Sequence, residues 1–466
     1  MHRGLTEQWQ HGFLSRYRHV VERVYPGTMN GAIAAGHPLS TDVGARVLAD
    51  GGNAIDACIA ATFAAFVAEG PLTGPAGGGF LLAHVAGEPL LLDCFFAVPS
   101  RSLGEMEEIV VDFGDSSTQV FHVGEASVAV PGLVLGLEEA HRRFGTRPWH
   151  ELVEPAIAQA NAGVDVIEPQ AVLHVILAGV LLRNDAGRRI YGNPDRCETQ
   201  ELAATLEAIR DRGAAAVADL VPELADELAA YRVEEREPIR AALPEHELLT
   251  TPPPSRGGAI VAAALARLAA AQTLDERARA LLDAYSAAPP ARMRGTTHVS
   301  VIDGNGDAAA LSSTLGAGAG VFRGGAQLNN MLGERDVIGD GALEPGARLA
   351  SMMTPTLVVE DGRPRLAVGS AGSVRLAGAI AQVTHAALHG VPLEEAIEAP
   401  RLHVDADGVL HLEGGFPGVA PDGWPVVRWA GRNLFFGGVS AVEREPDGTY
   451  SAAGDPRRGG CGIVVP

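Results

Sequence analysis

A glycine and two threonines, Gly295-Thr296-Thr297, stand immediately before the alternating run H-V-S-V-I-D; the chain then turns at G-N-G and returns through D-A-A-A-L-S-S-T-L. Apolar and polar residues alternate on both sides of the turn, which is the signature of a β-hairpin. With Gly304-Asn305-Gly306 as the loop, paired positions sum to 610, and Thr296 lies opposite Thr314. A bulge or a shorter loop shifts this by about one position and leaves the two hydroxyls neighbours. A threonine hydroxyl is a weak nucleophile. A free α-amine on the same residue can activate it, because that amine titrates at about 7.7–8.0 against roughly 10.4 for lysine. An internal threonine lacks that amine, so the chain must first be cut before it. Gly295 suits the cut: glycine reaches backbone angles that bring the Thr296 hydroxyl onto its carbonyl, an N-to-O acyl shift gives an ester, and hydrolysis frees Thr296 as an N-terminus. The same residues also fit a plain strand start rich in β-branched side chains. A second candidate nucleophile is Ser370 in L-A-V-G-S-A-G-S, which leads into a helical pattern, although Val368 stands where a nucleophile elbow has glycine.

The elements that position these residues follow from pattern. S-T-D-V-G-A-R-V-L-A-D reads as a helix with Ser40 as N-cap and a stop at Gly51-Gly52. The next helix starts at Asn53, whose side chain can accept from the Asp56 N–H, and its apolar run of about a dozen residues is too short to span a membrane. The glycines of G-P-A-G-G-G-F precede two short strands without the G-K-[ST] of a phosphate loop, so they read as close-packing glycines. From Pro131 to about Ser286 the pattern is largely helical, interrupted by the T-P-P-P-S-R-G-G loop, and from Thr297 strands dominate, with one more helix near L-A-G-A-I-A-Q-V-T-H-A-A-L-H-G. Strands with helices on either side predict layers of α on β. His298 reads as a packed strand residue, and Asp303 and Asp307 as solvated turn formers.

Composition narrows the function further. The 466 residues carry 36 Lys+Arg against 57 Asp+Glu, a net charge of −21, which argues against a nucleic-acid partner. Four scattered cysteines suggest neither a zinc site nor a disulfide framework, and the first twenty residues hold no signal-peptide apolar run, so a cytoplasmic protein is expected. No motif requires a cofactor or a metal, and the expected partner is a small-molecule substrate with neither membrane nor nucleic acid.

In order along the chain, G-G-N-A-I-D-A, G-G-G-F, A-V-P-G-L-V-L-G-L, F-G-T-R-P-W-H-E-L, P-P-P-S-R-G-G, T-T-H-V-S-V-I-D, L-N-N-M-L-G-E, S-M-M-T-P-T, G-S-A-G-S and D-P-R-R resemble the γ-glutamyltranspeptidase family of N-terminal-nucleophile hydrolases, from about Gly31 to Arg458. The resemblance implies a precursor that cuts itself into a large subunit, residues 1–295, and a small subunit, residues 296–466, which stay together as one α/β four-layer αββα sandwich. It implies Thr296 as nucleophile, Thr314 as the threonine that assists it, and the backbone N–H groups of Gly372 and Ser373 as the oxyanion hole. Departures bear on substrate. Phe95, in D-C-F-F-A-V-P, stands where the family's arginine grips the γ-glutamyl α-carboxylate, and a phenyl ring cannot form that bidentate pair. Ala350 and Ser351 occupy the family's serine pair, Met331 replaces a polar neighbour, and Gly316 stands in place of an asparagine. Asn330 and Glu334 remain as substrate contacts, and Arg375 offers a substitute charge or an ordinary salt-bridge partner.

Four readings stay open at this stage. One is a self-processing hydrolase or acyltransferase cleaving an amide, γ-glutamyl or otherwise, through an acyl-Thr296 intermediate. The second is a C–C bond hydrolase of the same family, of the kind found in pathways to 4-alkyl-proline antibiotic building blocks. A non-catalytic relative that never cuts itself is the third, and a serine hydrolase using Ser370 the fourth. The expected partners after cutting are the chain's own large and small subunits, which can pair further into a homodimer of processed heterodimers.

Overall fold

The computed structural model describes residues 23, 25, 30–112, 118–286, 295–334, 338 and 343–466. The first twenty residues and the R-M-R preceding Gly295 lie outside the described residues, as does the side chain of Ser373.

Two antiparallel sheets face each other. The first is built from β1 (Gly31–Ala35), β2 (Gly78–Val85), β3 (Glu88–Cys94), β4 (Glu234–Arg236), β7 (Thr297–Asp303), β8 (Ala308–Thr314) and β13 (Cys461–Val465), in the order β13-β1-β7-β8-β2-β3-β4. The second runs β12 (Tyr450–Gly454), β11 (Gly438–Arg444), β10 (Arg363–Ala371), β9 (Thr356–Glu360), β6 (His246–Thr250) and β5 (Ile239–Leu243). The period-two pattern divides the side chains between two cores. From β7, Val299 and Val301 enter the helix-side core, while Ile302 enters the core between the sheets together with Ala32, Ala34, Ala308 and Ala310. Alanine at four of these positions lets the sheets approach closely, and β7 and β8 pack against β10.

Helices α1 (Pro38–Ala49), α2 (Ala54–Ala68), α4 (Trp149–Ala162) and α5 (Gln200–Arg212) cover the first sheet, with α3 (Leu133–Phe144) against β2 and β3. On the outer face of the second sheet lie α6 (Gly257–Leu268), α7 (Leu274–Ser286), α8 (Leu376–Leu388) and α9 (Leu393–Glu398). The fold is the four-layer αββα sandwich. Every residue of α2 is buried, and its capping box matches the sequence reading, with Asn53 accepting from the Asp56 N–H at 2.9 Å.

The structure corrects three expectations. The first helix is capped by His37, not Ser40, because Pro38 supplies the helical φ at its first turn. The region from Pro131 to Ser286 is largely helical but also holds strands: β4 and β5 each form the edge of one sheet, β6 pairs between β5 and β9, and their short sequences hide the period. Asp303 is not solvated. It is fully buried, and its carboxylate accepts from the N–H groups of Asn305, Asp307 and Ala54, fastening the hairpin turn to the N-terminus of α2. Asp307, half-buried, accepts from the Ala86 N–H at 2.8 Å.

Candidate active site

The hairpin has the expected register. Thr297 pairs with Ser313 and Ile302 with Ala308, so Thr296 and Thr314 meet one step beyond the ladder. Thr296 is fully buried, and its Oγ1 has no hydrogen-bond partner among the described residues. Gly295 takes φ +78°, a conformation that L side chains rarely adopt, and a Cβ there would meet the Gly316 carbonyl oxygen at 2.0 Å. Thr314 Oγ1 donates to the Gly295 carbonyl and accepts from the Gly316 N–H at 2.8 Å. The carbonyl that joins Gly295 to Thr296 is therefore polarised by a hydroxyl that is itself oriented by a backbone donor.

Next to this contact, Asn330 Oδ1 accepts from the N–H groups of Ala317 and Gly318, at 2.8 and 3.1 Å, and Glu334 Oε1 accepts from Ala317 at 3.2 Å. Asn330 Nδ2 donates to the His122 carbonyl at 3.2 Å. At the C-terminal end of β10, Gly372 has φ +129° and lies against Gly437 and the Arg458 guanidinium, and Ser373 opens a 3-10 turn to Arg375. Ser370 lies inside β10, 1% exposed, with its hydroxyl donating to the Ala371 carbonyl at 2.8 Å. That is strand geometry, not the sharp exposed turn of a nucleophile elbow.

Alternate residues of β7 face opposite ways. On the intersheet side His298 sits between Ser312, at 2.8 Å from Nδ1, and Ser300, at 2.9 Å from Nε2, and burial pushes its imidazole down to about 3. Neutral and packed, it matches its sequence reading. On the helix side the Thr297 hydroxyl donates to Glu69 Oε2 at 2.6 Å. Glu69 is 4% exposed, and burial lifts its carboxyl to about 7, against the lowering effects of Thr297, Ser40 and Arg458. Glu69 and Arg458 border one cleft with Gly36, Leu72, His174 and Leu434. Desolvation pulls the Arg458 guanidinium down to about 10. Sequence reasoning missed Glu69 and Arg458; an acid at the C-terminal end of an apolar helix was the available signal for the first.

The γ-glutamyltranspeptidase family model matches residues 40–287 and 266–465. The chain belongs to the γ-glutamyltranspeptidase family. An Acylase ACY 1 proenzyme of Pseudomonas sp. (strain SE83) is 30% identical over 93% of this chain and 93% of the relative. A glutathione hydrolase proenzyme of Pseudomonas aeruginosa is 29% identical over 93% of this chain and 94% of the relative. In fold, the chain is similar to the cephalosporin acylase of Bacillus halodurans, with a TM-score of 0.77 at 20% identity, over 93% of this chain and 96% of that one.

The residues expected in place of the family's carboxylate contacts are packed into the core. Phe95 is fully buried, stacked on Phe80 at 5.2 Å and edge-on to Phe96 at 4.9 Å, in a cluster with Met331, Leu349 and Met352. Its backbone is fixed at both ends, the N–H donating to Asp93 at 2.9 Å and the carbonyl accepting from Tyr231 at 2.5 Å. Gly316 follows the same logic: a Cβ there would sit 2.3 Å from Asn330 Oδ1, so an asparagine does not fit unless Asn330 moves. Ser351 is buried, and its Oγ accepts from the Met353 N–H at 3.0 Å. Arg375 lies over the Phe435 ring, 4.2 Å from its centroid. Phe95→Arg is expected to destabilise the fold by about 3–5 kcal/mol by burying an uncompensated guanidinium, and not to create a carboxylate clamp. A thermal melt of the variant checks this, and an unchanged midpoint would show the aromatic cluster opening for the new side chain.

Among the described residues no helix is long and apolar enough to cross a membrane, and no group of His, Cys, Asp and Glu could hold a metal ion. The four cysteines are free and buried.

Proposed function

We propose that the chain is a self-processing N-terminal-threonine hydrolase or acyltransferase that cleaves an amide through an acyl-Thr296 intermediate. The observation that carries this is the Thr314 hydroxyl on the Gly295 carbonyl, beside a buried Thr296 hydroxyl with no other partner among the described residues. Thr296 Oγ1 attacks the Gly295 carbonyl carbon, and Thr314 donates to the oxygen on which negative charge develops. The C–N bond breaks as the proton lost from the Thr296 hydroxyl is delivered to the leaving nitrogen, giving an ester and a free α-amine; water then hydrolyses the ester, leaving a carboxylate on Gly295 and restoring the Thr296 hydroxyl. Residues 1–295 and 296–466 become the two subunits, and the new α-amine serves Thr296 as general base toward a substrate amide. Gly372 and Ser373 are assigned the oxyanion in that second reaction, and their position at the end of β10, with glycine at φ +129°, supports the role. The relatives' names, acylase and glutathione hydrolase proenzymes, fit a precursor and an amide-cleaving product.

The acyl group is one that does not depend on a glutamyl α-carboxylate, because the clamp position is filled by Phe95 packed between two rings. Intact mass and N-terminal sequencing test the processing, with fragments divided between Gly295 and Thr296 expected. Specificity is tested with γ-glutamyl, glutaryl and butyryl p-nitroanilides. The expected kcat/KM for the γ-glutamyl compound is no higher than for butyryl; a strong γ-glutamyl preference would mean that another residue has taken over the clamp.

A further inference from the structure

Cutting the chain before Thr296 creates a mechanical difficulty. In the uncut chain that residue is held from both sides; afterwards it is the free end of a strand, and free ends fray. A nucleophile cannot fray and keep its geometry, since small misplacements of reacting groups are costly in rate. What holds the new end must act at Thr297, the first residue in the ladder.

We propose that Glu69 is a positioning residue of the active site, holding the new N-terminal strand end in place through the hydroxyl of Thr297. The inference rests on the processing reading above. Four observations support it. The Thr297–Glu69 contact is short, at 2.6 Å, and both residues are buried. The backbone packs tightly against it: a Cβ on Gly36 would sit 2.4 Å from Glu69 Oε2 and 2.6 Å from Thr297 Oγ1, so only glycine leaves room for the pair on that side. The same segment fastens the opposite strand, since Thr73 Oγ1 and Ser313 Oγ lie 2.8 Å apart, and Ser313 is the ladder partner of Thr297. Both strands are thus tied from the helix layer one residue away from Thr296 and Thr314. Finally, Glu69 is badly placed for stability alone. It caps the C-terminal end of α2, where the helix dipole disfavours an acid, and it is buried with no ion pair within 4.0 Å among the described residues.

The carboxyl also changes charge in the working range. Burial lifts it to about 7, while among the groups facing it His174 is pushed down to about 4, Arg457 and Arg458 remain cationic, and Ser40 and Thr297 are hydroxyls. A carboxylate accepts the Thr297 proton more strongly than a carboxylic acid does. Glu69 and the Thr296 amine are then the two groups whose ionisation shapes the acid side of the activity profile.

The test compares wild type with Glu69→Gln, Glu69→Ala, Thr297→Val and the Glu69→Ala/Thr297→Val double variant, reading the fraction cut, kcat and KM on a p-nitroanilide, and the pH profile. Thr297→Val keeps shape, so its loss does not reduce to misfolding. Expected are falls of about tenfold in kcat for Glu69→Ala and Thr297→Val with KM within about twofold, and a double variant no slower than the slower single. Glu69→Gln, which keeps a neutral acceptor, should lose less and show an acid limb governed by one ionisation in place of two. A wild type that cuts itself while both single variants keep kcat within twofold, or losses that add in the double, or an unchanged acid limb in Glu69→Gln, overturns the inference alone. A wild type that never cuts removes the processing reading and this inference together.

Discussion

Thr296→Ala is expected to remain a single 466-residue chain in which no fragment begins at position 296, with amide-cleaving activity at least about ten-thousand-fold below wild type. The variant deletes the hydroxyl proposed to attack the Gly295 carbonyl, and with it the proposed nucleophile of the substrate reaction. Thr314→Val separates the two roles. It keeps the shape of the side chain but removes the donor on the Gly295 carbonyl, so cutting is expected to slow by about a hundred- to a thousandfold, as loss of one oxyanion donor does elsewhere, and Thr314→Ser should recover most of it. Ser370→Ala is expected to cut and to turn over substrate, since that hydroxyl is engaged with the Ala371 carbonyl. If Thr296→Ala were cut, or if Ser370→Ala alone were inactive, the threonine mechanism would be lost.

The second large effect lies away from the chemistry. Arg457, in the D-P-R-R motif, is completely buried and makes a bidentate pair with Glu413, at 2.6 and 2.7 Å, and a contact with Asp455 at 3.1 Å. Asp455 also pairs with buried Arg401 at 2.6 Å, and the carboxylates accept from the backbone N–H groups of Arg401, Asn433 and Val439. The group frames the segment from Leu434 to Gly437 that leans on Gly372, so it sets the floor of the assigned oxyanion site. Arg457→Met leaves Glu413 buried without its partner and is expected to lower stability by about 3–5 kcal/mol, read as a fall in the unfolding midpoint. The Arg457→Met/Glu413→Met pair should lose less than the single variant, because no charge is then stranded. An Arg457→Met midpoint equal to wild type would show that the network contributes nothing to the fold.

Local signals were legible where one pattern sufficed. The hairpin register came directly from alternation and a glycine turn, and the cap of α2 from Asn53 and Asp56. Contacts made across the fold left no such trace. Glu69 stands 228 positions from Thr297, and nothing in F-V-A-E-G-P tells that its carboxyl meets a strand on the far side of the chain. Phe95 showed that the arginine was missing, but not that the vacated position is stacked shut between Phe80 and Phe96. The strands β4 to β6 escaped notice because they are short and most of their residues are exposed or half-buried, several of them charged, which blurs the period that a buried strand displays.

The first sheet draws β1 to β4 from before Gly295 and β7, β8 and β13 from after it, and β7 lies between β1 and β8. Neither stretch can assemble that sheet without the other. Under the proposed processing, the bond can be attacked only after distant segments have been interwoven, because only then does Thr314 reach the Gly295 carbonyl. Severing the chain thus works as an inspection: a molecule that has threaded its strands wrongly never acquires a reactive amine, and the population of active enzyme is selected for correct assembly before it meets a substrate.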